Sequence, residues 1–268
     1  MKKVAFQGER GAYSEIAARR FFGDEIEPVP YRTFEEIFSG VERKRVPCGI
    51  VPLENSLAGS VLQNYDLLLR HHLSIVGEIS QRIVHNLIVH PGTPASAVRR
   101  IYSHPQALMQ CEKFLSRLKK AEKIPAYDTA GAVKLIKEQG LTDAAAIASQ
   151  LAASLYGMEV LQEGIENDPE NYTRFVILSK TAAVAQNAKK TSIVFSLRNL
   201  PGALFKSLSV FALRDIDLLK IESRPLHGKP WEYFFYVDFA GTMKNENCQN
   251  AIKHLGEIST YLKILGSY

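Results

Sequence analysis

Cysteine is scarce in this chain. Cys48, Cys111 and Cys248 stand far apart with no C-x-x-C pair, which excludes a zinc knuckle and a disulfide framework. Cys111 and Cys248 fall within helical patterns, where a thiol serves as a small apolar filler. Long apolar runs are missing too, and none approaches the ~20 residues of a membrane span. H-E-x-x-H, G-x-S-x-G and Walker-loop patterns are absent, as are paired metal-ligand histidines, so no metal and no cofactor is expected. His71 and His72 follow a helical pattern and read as exposed charges at its C-terminus. Charge is nearly balanced, with 33 basic and 28 acidic residues interleaved for a net +5, which argues against a nucleic-acid partner. The opening "MKKVAFQG" is strand-like and shows no signal or transit pattern. The expectation is therefore a protein of a reducing, cytoplasmic compartment with no membrane partner.

What is present is alternation. With 46% hydrophobic residues among 268, the chain can bury one large core or two smaller ones. "KVAFQG" reads as a strand and 12–22 as a helix with Ile16, Ala17 and Phe21 on one stripe. Thr33 and Glu36 form a capping box opening a helix to Val41. "CGIVPLENS" is a strand running into a polar loop, "VLQNYDLLLR" a helix, and "HLSIVGEIS" and "RIVHNLIVH" are β-rich. "IYSHPQ" leads into a helix over 107–118, "AYDTA" into one over 131–138. "AAAIAS" and "YTRFVILS" are strands, with a helix to Tyr156 after the first. Such βα order predicts an α/β domain with a largely parallel sheet over 1–180. A bulk-poor stretch at 181–190 reads as a linker. Beyond it, 191–268 reads strand, helix, strand, strand, helix, strand. In it Leu204, Leu208 and Phe211 share a helical stripe, and Trp231, Tyr233, Phe235, Val237 and Phe239 share a strand face. This is the ferredoxin-like order.

Polar clusters gather where strands of the first domain begin or stop: "PLENSLAGS", "SHPQ", "DTAG" and "NYTRF". In an α/β sheet such tips converge on one cleft, and helices starting there favour an anionic ligand. "GERGAYS" is a further glycine-bearing turn of this type, far short of a nucleotide fingerprint. Each cluster also has a structural reading. Asp128 suits an N-cap, Ser103-His104-Pro105 a turn with proline at the first helical position, Glu54-Asn55-Ser56 a solvated loop, and Arg174 a partner for a surface carboxylate. Hydroxyls, amides, one carboxylate and an arginine suit proton donation and carboxylate binding without a cofactor.

Taken together, "PLENSLAGS", "YSHPQALMQC", "AYDTAGAVKLI", "AAIASQLAASLYGM", "NYTRF" and "GALFKSLSVFALRDIDLLKIESRP" resemble the prephenate dehydratase family with its C-terminal ACT regulatory domain. The resemblance spans nearly the whole chain in order, and the family includes arogenate dehydratases. It implies an α/β fold: a two-lobed catalytic region similar to periplasmic binding proteins, plus a βαββαβ ACT domain. The implied reaction removes carbon dioxide and water from prephenate to leave phenylpyruvate, on the route to phenylalanine. By this resemblance Thr173 is the catalytic hydroxyl and Phe175 shapes its pocket. Glu54, Asn55, Ser103 and Gln110 match positions that matter for binding or turnover. Ser56, Gln106, Asp128, Thr129, Asn171 and Arg174 join Phe175 as substrate-binding candidates. Tyr172 stands where many relatives have a smaller residue, and would narrow the pocket if it pointed inward.

Chemistry from the residues alone would choose Glu54 as the acid, since a partly dry cleft raises a carboxyl's pKa and keeps it protonated, able to donate, nearer neutral pH. The resemblance selects Thr173 as a positioned hydrogen-bond donor. In the second domain, Gly202, Ala203 and Leu204 with Glu222, Ser223, Arg224 and Pro225 are implied to bind phenylalanine between subunits of a homodimer or homotetramer. Arogenate as substrate is the alternative within the family, and a non-catalytic amino-acid sensor the alternative outside it.

Overall fold

Val4, Ala5 and Phe6 are fully buried in a strand too short and too β-rich to be helical, and they begin the first sheet. A computed structural model of the chain describes residues 1–181, 187–226 and 228–268. The first elements are β1 (Lys2–Gln7), α1 (Tyr13–Phe22), β2 (Ile26–Tyr31), α2 (Phe34–Glu42), β3 (Cys48–Asn55) and β4 (Gly59–Ser60). Next come α3 (Leu62–Arg70), β5 (Ser74–Arg82), β6 (Asn86–Val89), β7 (Arg100–Ser103), α4 (Pro105–Gln110) and α5 (Glu112–Leu115). Then follow β8 (Glu122–Pro125), α6 (Thr129–Glu138), β9 (Ala144–Ala148), α7 (Gln150–Tyr156), β10 (Glu159–Gln162) and β11 (Tyr172–Ser179). The last are β12 (Lys190–Ser196), α8 (Ala203–Ala212), β13 (Leu218–Pro225), β14 (Tyr233–Ala240), α9 (Glu246–Ile258) and β15 (Tyr261–Ser267). Half of the stretch expected as a linker, 182–186, lies outside the described residues, as does His227.

The chain divides into two compact units, one of Met1–Val61 with Ile79–Phe175, the other of Leu62–Glu78 with Val176–Tyr268. The border therefore runs through β5 and β11, and α3 belongs with the C-terminal residues.

In the first unit the strands form two sheets rather than one. The first has the order β2-β1-β3-β11-β5, with β4 paired to β3. β1 runs parallel to both β2 and β3. The second has the order β10-β6-β9-β7-β8 and is mixed. β7 is parallel to β8 and β9, whereas β6 is antiparallel to β9 and β10. β9 is wholly buried as "AAAIA", and its small side chains let α6 pack close. Leu87, Val89, Ile101, Leu115 and Ile147 form the apolar cluster around it.

The expected capping box is present. Thr33 accepts from Glu36 N–H while the Glu36 carboxylate accepts from Thr33 N–H. The helix expected over 107–118 is instead two short ones broken at Cys111. Gly11, at φ +90°, lies where a Cβ would come within 2.6 Å of Ala152 Cα. Only glycine allows that approach, which brings the loop before α1 against α7 and is clipped by Ser149 Oγ donating to Gly11 O at 2.6 Å.

In the second unit the sheet order is β13-β14-β12-β15, all antiparallel. Phe195, Val210, Phe211, Val237, Phe239 and Leu255 fill the core between one sheet face, α8 and α9. Each such side chain contributes on the order of 1.5–3 kcal/mol by burial. Trp231 lies outside the strand, so the expected five-residue face keeps four residues, with Tyr233 at its half-exposed end. The other face meets α3: Tyr236 Oη donates to Tyr65 O at 2.8 Å and Arg224 clasps Asp66 through two nitrogens at 2.7 and 3.1 Å. His71 at the end of α3 is 8% exposed, not the exposed charge expected, because its segment is held by Lys263 Nζ donating to His71 O at 2.8 Å.

Candidate active site

One cavity of the first unit, about 380 Å³, collects side chains from both sheets. Its wall holds Asn55, Gln106, Gln110, Thr129, Thr173 and Phe175 of the anticipated residues, joined by Tyr13, His85 and His104. α1 and α6 both begin at this wall, through Tyr13 and Thr129, so their positive ends favour an anion there.

Asn55, at the end of β3, organises the floor. Its Oδ1 accepts the backbone N–H groups of Leu57 and Ala58 at 3.1 and 2.8 Å. Those donors fix the amide's orientation, so Nδ2 faces Asn171 Oδ1 at 2.7 Å, Tyr172 O at 3.1 Å and Thr173 Oγ1 at 2.9 Å. Thr173, at the start of β11, therefore serves Asn55 as an acceptor. Its own proton remains available for a ligand.

Asn171 is fully buried beneath this group and passes the order on, with Nδ2 donating to Gln110 Oε1 at 3.1 Å. His85 Nε2 lies 3.0 Å from the same oxygen. Its Nδ1 is 3.0 Å from Tyr13 Oη, which donates to Val84 O at 2.7 Å. Burial lowers the basicity of His85, opposed by its Gln110 bond and the Glu166 carboxylate, and burial raises the Tyr13 phenol well above its usual range. Tyr13 and His85 are the members that sequence reasoning missed. "GERGAYS" had marked the turn before α1, and nothing in "RIVHNLIVH" distinguished His85 from a core histidine.

Other anticipated residues sit behind the wall. Ser103 is fully buried and donates to Ile147 O at 2.6 Å, clipping β7 to β9. Asp128 caps α6 through Gly131 N–H and accepts Glu9 N–H at 3.1 Å. Burial raises its pKa, with those two N–H groups pulling it back. Glu54 pairs across the β3–β4 ribbon with Ser60 and Arg174 lies on β11; neither is in the cavity wall. Ser56 binds backbone, donating to Glu170 O at 2.8 Å and accepting Tyr172 N–H at 2.9 Å. Tyr172 is 39% exposed and outside the wall, so it leaves the pocket unnarrowed.

In the second unit, β13 alternates, with Lys220, Glu222 and Arg224 less exposed than Leu219, Ile221 and Ser223. Gly202, at φ +75°, precedes α8, which starts with Ala203 and Leu204. The register sets Ser196, Phe234 and Arg224 in one row, so the start of α8 and the end of β13 share one end of the sheet. Arg224 pairs with Asp66, while Glu222 faces Lys220 at 3.8 Å.

Known proteins share this chain's sequence pattern and fold. A family model described as prephenate dehydratase matches residues 4–183. The chain is 47% identical over 277 residues to arogenate dehydratase/prephenate dehydratase 2, chloroplastic, of Arabidopsis thaliana, covering 99% of this chain and 72% of that protein. Among solved structures, prephenate dehydratase from Arthrobacter aurescens in complex with L-Phe is 31% identical with a TM-score of 0.91, covering 99% of this chain and 89% of that one. GqqA, described as a novel type of quorum quenching acylase, is 34% identical with a TM-score of 0.91, covering 100% and 97%. The cytoplasmic expectation is corrected by these relatives. Arogenate dehydratase/prephenate dehydratases 2, 6 and 1 of Arabidopsis thaliana, at 47%, 43% and 43% identity, are named chloroplastic. The expectation had leaned on the lack of a leader pattern, and that lack carries no information on location. On the family match and on relatives of this identity and coverage, the chain belongs to the prephenate dehydratase family, and is an enzyme of that type.

Proposed function

We propose that this enzyme takes prephenate to phenylpyruvate, carbon dioxide and water. The observation that carries the reading is Thr173 Oγ1, held by Asn55 Nδ2 at 2.9 Å with its own proton free for the cavity. In prephenate the bond from the ring to its carboxylate breaks and its electron pair moves through the ring. The opposite C–O bond then breaks toward oxygen. Aromatisation drives the step, so no cofactor is called for. The departing oxygen needs one proton from solution to become water. A donor aimed at it lowers the barrier by roughly 10²–10⁴-fold in rate. Thr173 is that donor. The starts of α1 and α6 hold the side-chain carboxylate, with Gln106, Gln110, Thr129 and Phe175 shaping the rest. The carboxylate that leaves must be held weakly, since a strong grip would stabilise the ground state. Glu54, Ser56, Ser103, Asp128, Asn171 and Arg174 support the wall from outside it.

The acylase reading suggested by one neighbour is not favoured here. A nucleophile would give its proton to a base, whereas Thr173 Oγ1 takes a hydrogen bond from an amide.

The two sheets of the first unit form the two catalytic lobes of 1–180, and 191–268 forms an ACT domain after the linker. The βαββαβ order of its elements and the L-Phe complex of the Arthrobacter relative support that reading. Phenylalanine binds at Gly202, Ala203 and Leu204 with Glu222, Ser223, Arg224 and Pro225, and inhibits. Phe205 on α8, Leu213 at its end, and Leu219 and Ile221 on the β13 edge are exposed, apolar surface suited to a second copy of the chain. Arogenate is the second reading, because relatives at 42–47% identity are named for arogenate dehydratase activity. Assay of the purified chain with both compounds tests the proposal. Formation of phenylpyruvate from prephenate supports it, and turnover of arogenate alone replaces it with the second reading.

A further inference from the structure

The cavity wall poses a problem of charge. Among the described residues it contains no lysine, arginine, aspartate or glutamate, and its titratable groups are Tyr13, His85 and His104. An anion inside therefore meets amides, hydroxyls, helix starts and two imidazoles. His104 Nδ1 accepts the Gln106 N–H at 3.2 Å, so a proton on that nitrogen would break the cap of α4. His85 is bonded differently.

The hydrogen-bond directions around His85 follow from Asn55, whose Oδ1 is fixed by two backbone donors. Asn171 must then present its oxygen to Asn55 and its nitrogen to Gln110 Oε1. That oxygen can only accept, so His85 Nε2 beside it carries a hydrogen. On the far side, Tyr13 Oη has one proton to serve both Val84 O at 2.7 Å and His85 Nδ1 at 3.0 Å. If the proton goes to Val84, Tyr13 can only accept from Nδ1. Every bond in the chain is complete when both ring nitrogens bear hydrogen.

We propose that His85 is neutral in the empty cavity and takes up a proton as an anionic ligand enters, supplying the positive charge that the wall otherwise lacks. This rests on reading the cavity as the site of a carboxylate substrate. Burial keeps the empty-site imidazole below its ordinary range, and the Gln110 bond and Glu166 oppose it. The groups facing it are few. Glu166 Oε2 accepts the His85 backbone N–H at 2.9 Å, and its Oε1 lies 3.9 Å from Arg82. Tyr13 on α1 and Cys111 after α4 are both raised by burial, Cys111 to about 12, and stay neutral. A ligand carboxylate is the added negative charge that tips the balance. The same Nε2–H keeps Gln110, Asn171, Asn55 and Thr173 aligned, so His85 acts as a positioning residue with a switchable charge.

Calorimetric titration of phenylpyruvate into the full chain, in buffers of different ionisation enthalpy, counts the protons taken up. Uptake approaching one per site is expected, with affinity falling up to about tenfold per pH unit in the alkaline range. Binding without uptake overturns the proposal. His85→Gln can keep a neutral donor to Gln110, and is expected to bind with no uptake and a flat pH profile; uptake that persists in it also overturns the proposal. Should that variant not fold, ¹⁵N shifts of the wild-type imidazoles decide. Both nitrogens of His85 become protonated on filling, or the assignment fails. Prephenate turnover without uptake removes the histidine assignment alone, and absence of turnover removes the functional reading and this inference with it.

Discussion

Asn55 Oδ1 receives two backbone N–H groups, and that small fact orients the polar floor of the site. Aspartate at this position would keep those two bonds but turn an acceptor toward Asn171 Oδ1 and Tyr172 O, which are themselves acceptors, and draw the Thr173 hydroxyl proton away from the cavity. Asn55→Asp is expected to lower kcat by about 100-fold or more, as one lost charge-positioning donor does, while the thermal midpoint changes little; steady-state kinetics beside a melting curve checks both. His85 makes a separate forecast for the empty protein. Its folded-state pKa lies below the ordinary 6.5, so as pH falls the unfolded chain takes the proton first. Its contribution to stability is therefore complete above that value and lost as pH drops through it. Melting temperature should fall between about pH 7.5 and 5.5, and less so in His85→Gln. His104, also lowered by burial, works in the same direction.

At the scale of elements, the strands with apolar runs were legible, and three proline-bearing or polar edge strands were not. β1, β3, β9 and β11 carry buried cores that periodicity exposes at once. β2, with Pro28 and Pro30, and β8 and β10, with polar residues, escaped notice; all three lie at sheet edges. Proline and charge are tolerated there because one side of the ladder has no partner. Whether the first 180 residues made one sheet or two was also beyond periodicity, since strand pairing is a long-range choice. Glycine-bearing turns were visible, and their purpose was not. Gly11 matters because α7 comes against it. Gly11→Ala should cost roughly 2–4 kcal/mol from a strained φ and a clash with backbone, measured by denaturant unfolding, and should disturb the placement of Tyr13 two residues on.

For the whole molecule, the motifs lead to one cavity: Asn55, Gln106, Gln110, Thr129, Thr173 and Phe175 line it, Tyr13 and His85 join the wall, and Ser103 and Asp128 brace strands and a helix behind it. The proposed regulation has a physical handle in the Arg224–Asp66 clasp, which joins the end of β13 to α3. α3 starts immediately after Val61, a residue of the cavity wall. Asp66→Asn is expected to weaken phenylalanine inhibition several-fold and leave the uninhibited rate within about twofold; inhibition curves for both proteins test this. The central claim concerns Thr173, and kcat on prephenate at saturation measures it most directly. Thr173→Ala should lose roughly 10²-fold or more, Thr173→Ser should keep most of the rate, and KM should move little in either. A normal rate in Thr173→Ala, with Glu54→Gln inactive, would contradict the account and give the proton to the carboxyl.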